Sequence, residues 1–181
     1  NEDLPRQYAE ELGCESLHLQ AWGQSTKELI TCGKKIGAIR GQNTQIYVKV
    51  PITENGTKAA IELIKEGIKI TFTACFSAPQ ILIAESIGAK YIAPYLGRIE
   101  DSKGQGLSEI VSMQKALKET NSCCKLLVAS IREIDDIIYL ASKGIDTFTL
   151  NTEIAKKLFE IKETNLASSK FEKDANLIID K

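Results

Sequence analysis

Residues 64–73 read IKEGIKITFT: the tail of a helical-looking segment, a glycine, then a β-rich run from Ile68 to Thr73. A helix C-terminus favours a residue that tolerates positive φ, and a short turn from there starts a strand. The pattern recurs at 10–20 (EELGCESLHLQ), 85–94 (ESIGAKYIAP) and 141–150 (ASKGIDTFTL), with Gly13, Gly88 and Gly144 in the place of Gly67. Two further segments, QIYVKV (45–50) and KLLVAS (125–130), share the strand character without the glycine. Six strands are therefore predicted.

The intervening stretches space their apolar residues as helices do, for example Leu107, Ile110, Val111 and Leu117, or Ile134, Ile137, Ile138 and Ala141. Ser77, Ser108 and Thr152 stand where N-caps are expected. A helix over about 3–12 precedes the first strand, and LFEIKE (158–163) and SKFEKDANLIID (169–180) are read as two closing helices. Strands alternating with helices imply a parallel α/β sheet with right-handed crossovers. Periodicity admits both a (β/α) barrel and an open doubly wound sheet.

The 181 residues, 43% hydrophobic and 26% charged, suit a single domain over 1–181 with a substantial core. Lys plus Arg number 23 against 24 Asp plus Glu, so there is no global basic field for nucleic acid or an anionic membrane, and any anion site must be local. No apolar run approaches membrane-spanning length and the first residues are acidic, which predicts a cytoplasmic protein. Five cysteines without a CxxC and the single His18 support neither a zinc site nor a disulfide framework.

Chemistry is sought at the C-terminal strand ends, where parallel α/β folds place their sites. Lys49 lies in YVKVP, just before the strand-ending Pro51. Desolvation makes a lysine amine a nucleophile towards a carbonyl; the alternative is a strand-end lysine snorkelling to water. Other strand ends offer Gln20, Thr73, Tyr95, and Ser130 with Arg132. Ser130 and Arg132 share strand parity and precede a helix, so a hydroxyl, a guanidinium and helix N–H groups can converge on a phosphate, with Arg98 as a second charge. Surface ion pairs are the competing reading for both arginines. His18, on an apolar strand, reads as a satisfied core histidine rather than a catalytic one.

YVKVPIT (47–53) resembles the transaldolase family, and within it the small class I branch of fructose-6-phosphate aldolases and short transaldolases. LHLQAW (17–22), residues 70–101 and VASIR (128–132) match in the same order, and the matched segments with their spacing cover essentially the whole chain. The resemblance implies a TIM-type (β/α)8 barrel. It makes Lys49 the Schiff-base lysine, Thr73 and Gln20 holders of the catalytic water, Tyr95 the proton-transferring hydroxyl, and Ser130, Arg132 and Arg98 the phosphate-binding residues. Classical transaldolases carry Phe at the position of Tyr95, so Tyr95 and Gln20 point to the aldolase-type members. The family's LDT-type strand and TTNP-type turn do not occur in the chain, so the six strands would be the third to eighth of an incomplete barrel.

The implied activity is a class I aldolase cleaving or forming fructose 6-phosphate from dihydroxyacetone and glyceraldehyde 3-phosphate, with no metal and no organic cofactor. The alternatives are a transaldolase moving a dihydroxyacetone unit between sugar phosphates, and an inactive sugar-phosphate-binding barrel. The resemblance also implies a homo-oligomer in which the C-terminal segment, about 168–181, packs on a neighbour.

Overall fold

The computed structural model describes residues 4–39 and 43–179. Its elements run α1 (Leu4–Glu11), β1 (Ser16–Gln20), α2 (Thr26–Gly37), β2 (Gln45–Pro51), α3 (Glu54–Lys65), β3 (Ile70–Cys75), α4 (Gln80–Ser86), β4 (Tyr91–Pro94), α5 (Leu96–Lys103), α6 (Gly106–Glu119), β5 (Lys125–Leu126), α7 (Ile134–Ser142), α8 (Thr152–Lys157) and α9 (Lys162–Ile179).

The glycine repeat is a repeat of helix ends. Gly67, at φ 78°, donates its N–H to Ile64 O, and the next N–H, of Ile68, reaches back to Leu63 O at 3.0 Å. Gly13, Gly88 and Gly144 are also left-handed and make the same pair of bonds, so each helix is stopped with its last carbonyls satisfied before a strand begins.

Strands pair in the order β1-β2-β3-β4-β5, all parallel. Sequential order without a reversal decides what periodicity leaves open: a doubly wound sheet reverses its strand order at a switch point, and this sheet does not. The arrangement is an incomplete TIM-type barrel. The sixth predicted strand, 145–150, does not form a ladder. It joins through one bridge, Phe148 to Val128, with Val128 N–H donating to Thr147 O and Thr149 N–H to Val128 O. The fifth is also shortened, because past Leu126 its contacts become single bridges and Ser130 turns left-handed at φ 59°.

Register sorts the two faces. Leu17 and Ile46 fall on one side with Val48, Val50, Ile70, Phe72, Ile92 and Leu126, and the last six join the core that the helices cover. Phe72, Leu63, Ile110, Met113 and Leu140 are fully buried there, each adding about 1.5–3 kcal/mol by leaving water. The opposite, inner face carries His18, Gln20, Tyr47, Lys49, Thr71, Thr73 and Tyr91.

Three N-cap expectations are corrected. Pro79 stands at the cap of α4, not Ser77; Gln105 at that of α6, with Ser108 inside the helix; and Asn151, not Thr152, caps α8 by accepting from Ile154 N–H. Asn151 is the better cap because its side-chain carbonyl reaches that N–H at 2.8 Å while Thr152 is already helical. Of the stretch LFEIKE, residues 158–161 lie between α8 and α9, and its last two residues open α9. The closing helix thus starts at Lys162, earlier than the expected segment; residues 180 and 181 lie outside the described residues. On α7, Ile134 and Ile137 pack on the core but Ile138 is exposed.

Candidate active site

Lys49 is on the inner face because Val48 and Val50, on either side, are taken by the helix layer. Register sets it level with Gln20 on β1 and Thr71 on β3. It is half-buried, and its ammonium makes no hydrogen bond or ion pair among the described residues. The Gln20 amide nitrogen donates to Ala21 O at 2.9 Å and to Lys49 O at 3.2 Å. Those two bonds occupy the donor end, so Oε1 is the atom this amide offers a ligand or water.

Thr73 and Tyr95 are brought together, hydroxyl to hydroxyl, at 2.7 Å. A register shift between Phe72 and Cys75, with Ala74 at φ 56°, permits it: the strand kinks just past Thr73. The Tyr95 ring has Phe76 edge-on at 5.6 Å and the Arg98 guanidinium over it at 4.8 Å. Phe76 is itself fixed, because Gln80 Oε1 accepts from the N–H groups of Phe76 and Ser77, Glu109 Oε1 from Ala78 N–H, and Phe76 O from Lys103.

Ser130 and Arg132 follow the fifth strand. Ser130 O accepts from Gly97 N–H at 2.9 Å. Arg132 donates from both terminal nitrogens to Asp101, at 2.6 and 2.5 Å, and this pairing holds the Asp101 carboxyl below the usual carboxylate range. The helix expected to help bind phosphate does not present a bare N-terminus. Glu133 stands at its cap, Asp135 and Asp136 fill its first turn, and Asp136 is raised by burial and by its acidic neighbours. These carboxylates set negative charge against that positive end, although the Glu133 side chain makes no capping hydrogen bond.

Beneath Lys49 the inner face is aromatic. His18 stacks on Tyr47 at 4.5 Å, meets Tyr91 edge-on and hydrogen-bonds Thr71 Oγ1 through Nδ1 at 2.8 Å. Burial first, and Lys49 second, lower its pKa to about 4, so it is a neutral, satisfied histidine near neutral pH. The buried thiols of Cys75 and Cys124 are pushed up to about 11 and about 12 by desolvation. Among the described residues, no three His, Cys, Asp or Glu side chains are grouped as metal ligands. A cavity of about 450 Å³ opens at the other end of β2, beside Thr44, Gln45, Gly67 and Lys69, and is lined by none of Gln20, Lys49, Thr73, Tyr95, Arg98, Ser130 and Arg132.

Two residues at this site escape sequence reasoning. Asp101 lies on the same helix as Arg98, so a helix starting after Tyr95 is the available signal for it. A Cβ at Gly97 would come 2.6 Å from Arg132 Nε and 2.7 Å from Ser130 O. Only the folded chain reveals that approach.

A family model described as Transaldolase/Fructose-6-phosphate aldolase matches residues 12–181. The chain belongs to the transaldolase/fructose-6-phosphate aldolase family. Among curated relatives, a probable transaldolase of Thermus thermophilus is 35% identical over 81% of this chain and 64% of its own length. Probable transaldolases of Sorangium cellulosum and Aquifex aeolicus are each 33% identical over 74% of this chain, covering 62% and 61% of the relative. The chain thus spans a little under two thirds of these relatives' length. Among solved structures, an EAL domain protein from Listeria monocytogenes EGD-e superposes with a TM-score of 0.50 at 10% identity, over 81% of this chain and 63% of that one, a likeness of fold alone.

Proposed function

We propose that the chain carries the Schiff-base site of a class I aldolase that cleaves or forms fructose 6-phosphate. One observation carries this reading: Lys49 is half-buried without a hydrogen-bonded or ionic partner among the described residues, on the inner sheet face, level with Gln20 and sharing that face with the Thr73 hydroxyl that Tyr95 bonds.

The free amine of Lys49 attacks C2 of the ketose, and the carbinolamine loses water to give an iminium. As the C4 hydroxyl gives up its proton, the C3–C4 electron pair moves into the iminium. Glyceraldehyde 3-phosphate leaves and an enamine remains on Lys49. Protonation of the enamine at C3 and hydrolysis release dihydroxyacetone. The protons travel through a water held between the Tyr95 and Thr73 hydroxyls and Gln20 Oε1, while Arg132, Ser130 and Arg98 orient the phosphate.

A transaldolase is the second reading, favoured by the names of the curated relatives, which are probable transaldolases. It differs in what takes up the enamine, an aldose phosphate instead of a proton. Borohydride trapping with dihydroxyacetone or fructose 6-phosphate, followed by peptide mass spectrometry, tests both. A reduced adduct on Lys49 is expected, and its absence in folded protein defeats both readings. Product analysis with and without an aldose phosphate acceptor then separates them.

The proposal includes a cytoplasmic homo-oligomer. Leu166, Phe171, Leu177 and Ile178 on α9 are all exposed, an apolar surface that a second copy would cover. Among the described residues no helix is long and apolar enough to cross a membrane.

A further inference from the structure

The two arginines at the mouth are in different states. Arg98 lies over the Tyr95 ring and makes no ion pair among the described residues. Arg132 is held on both sides. Its guanidinium lies against Gly97, with no room for a Cβ between them, and its two terminal nitrogens grip both oxygens of Asp101. The fork geometry that suits a carboxylate is also the one that suits a phosphate, so the two anions compete for the same nitrogens.

We infer that Asp101 is the resident counter-anion of the phosphate subsite: it occupies Arg132 while the site is empty and yields it to the phosphate of an incoming sugar phosphate, thereby setting the preference between phosphorylated and unphosphorylated substrates. This rests on the reading of Arg132 as a phosphate ligand given above. The exchange is feasible because both partners are more than half exposed, where an ion pair contributes little. A phosphate ester brings nearly twice the charge and one more acceptor oxygen. Nothing in α7 relieves the competition, since Glu133, Asp135 and Asp136 occupy its start. An unphosphorylated ketose has no group that needs Arg132 and gains nothing from displacing Asp101.

Calorimetric titration of inorganic phosphate into the full chain, at fixed ionic strength, tests this without requiring turnover. Asp101→Asn should bind phosphate about 3- to 10-fold more tightly than the natural chain, Asp101→Glu should restore the natural value, and Arg132→Gln should lose the site. In borohydride trapping at Lys49, half-saturation by fructose 6-phosphate should fall by the same factor in Asp101→Asn while that by dihydroxyacetone stays unchanged. Equal or weaker phosphate binding by Asp101→Asn, or no phosphate binding by any of these chains, overturns the inference. Tighter binding with no adduct on Lys49 supports the counter-anion and defeats the Schiff-base reading instead.

Discussion

The hydroxyls of Thr73 and Tyr95 meet at 2.7 Å although 22 residues separate them in the chain. Thr73 ends up buried at 3% exposure and Tyr95 only partly covered, so the pair joins the sheet interior to the open mouth. Neither hydroxyl rotates freely, because each is the other's partner. A proton passed through Tyr95 is passed from an oriented group.

Tyr95→Phe keeps the ring contacts with Phe76 and Arg98 and removes only the oxygen. Fructose 6-phosphate cleavage should lose about 10²-fold in kcat with little change in KM, while borohydride still traps dihydroxyacetone on Lys49. Steady-state rates with parallel trapping check this; an unchanged kcat removes Tyr95 from the proton path.

Gly97→Ala places a methyl against Arg132 Nε and Ser130 O. The carbonyl cannot move aside because it accepts from Gly97 N–H itself. Urea denaturation should show a loss of about 1–3 kcal/mol, accompanied by weaker phosphate binding. Stability and phosphate affinity both equal to the natural chain's would mean that α5 does not set the arginine's position.

His18 makes stability depend on pH with a definite sign. Its folded value, about 4, lies below the ordinary 6.5, so the unfolded chain binds the proton more readily. The stability it supports is whole above pH 6.5 and is lost as pH falls from there to about 4. Denaturant midpoints across that window should decline in the natural chain and decline less in His18→Phe, which retains an aromatic ring beside Tyr47. Parallel slopes in the two proteins would show that another group titrates there.

Cysteine alkylation should divide by burial. Cys14 and Cys123 are exposed and Cys75 and Cys124 buried. Iodoacetamide at mildly alkaline pH should label the exposed pair and spare the buried pair until denaturant is added, as read by peptide mass spectrometry. Rapid native labelling of Cys75 would contradict the packing of β3.

The apolar surface of α9 predicts self-association. Light scattering should give a mass above 19.9 kDa for the natural chain, reduced by the double change Phe171→Glu and Ile178→Glu. A monomeric natural chain disproves the oligomer.

What sequence alone determined here is what neighbours along the chain control. The four glycine-ended helices are legible because positive φ at a helix end is a local demand with a residue type attached. Lys49 is assigned to a strand end by Pro51, while its face is decided by the strand register and the burial of Val48 and Val50. The satisfied state of His18 also follows from its apolar strand. The caps are not legible where several polar residues compete within one turn, as Asn151 and Thr152 do, because the choice falls to whichever side chain reaches the free N–H.

Only the tertiary structure decided how the strand ends combine. The Thr73–Tyr95 pair needs the kink at Ala74, and the departure of the fifth strand needs Ser130 at positive φ; neither Ala nor Ser advertises that conformation. The ion pair of Arg132 with Asp101 spans 31 residues and depends on α5 packing Gly97 against the Ser130 carbonyl. Sheet order, which separates a barrel wall from a doubly wound sheet, is likewise a matter of pairing between distant segments. Local propensity acts over a turn or two of chain, whereas register, close approach and ion-pair choice are set by contacts that exist only once the strands are side by side.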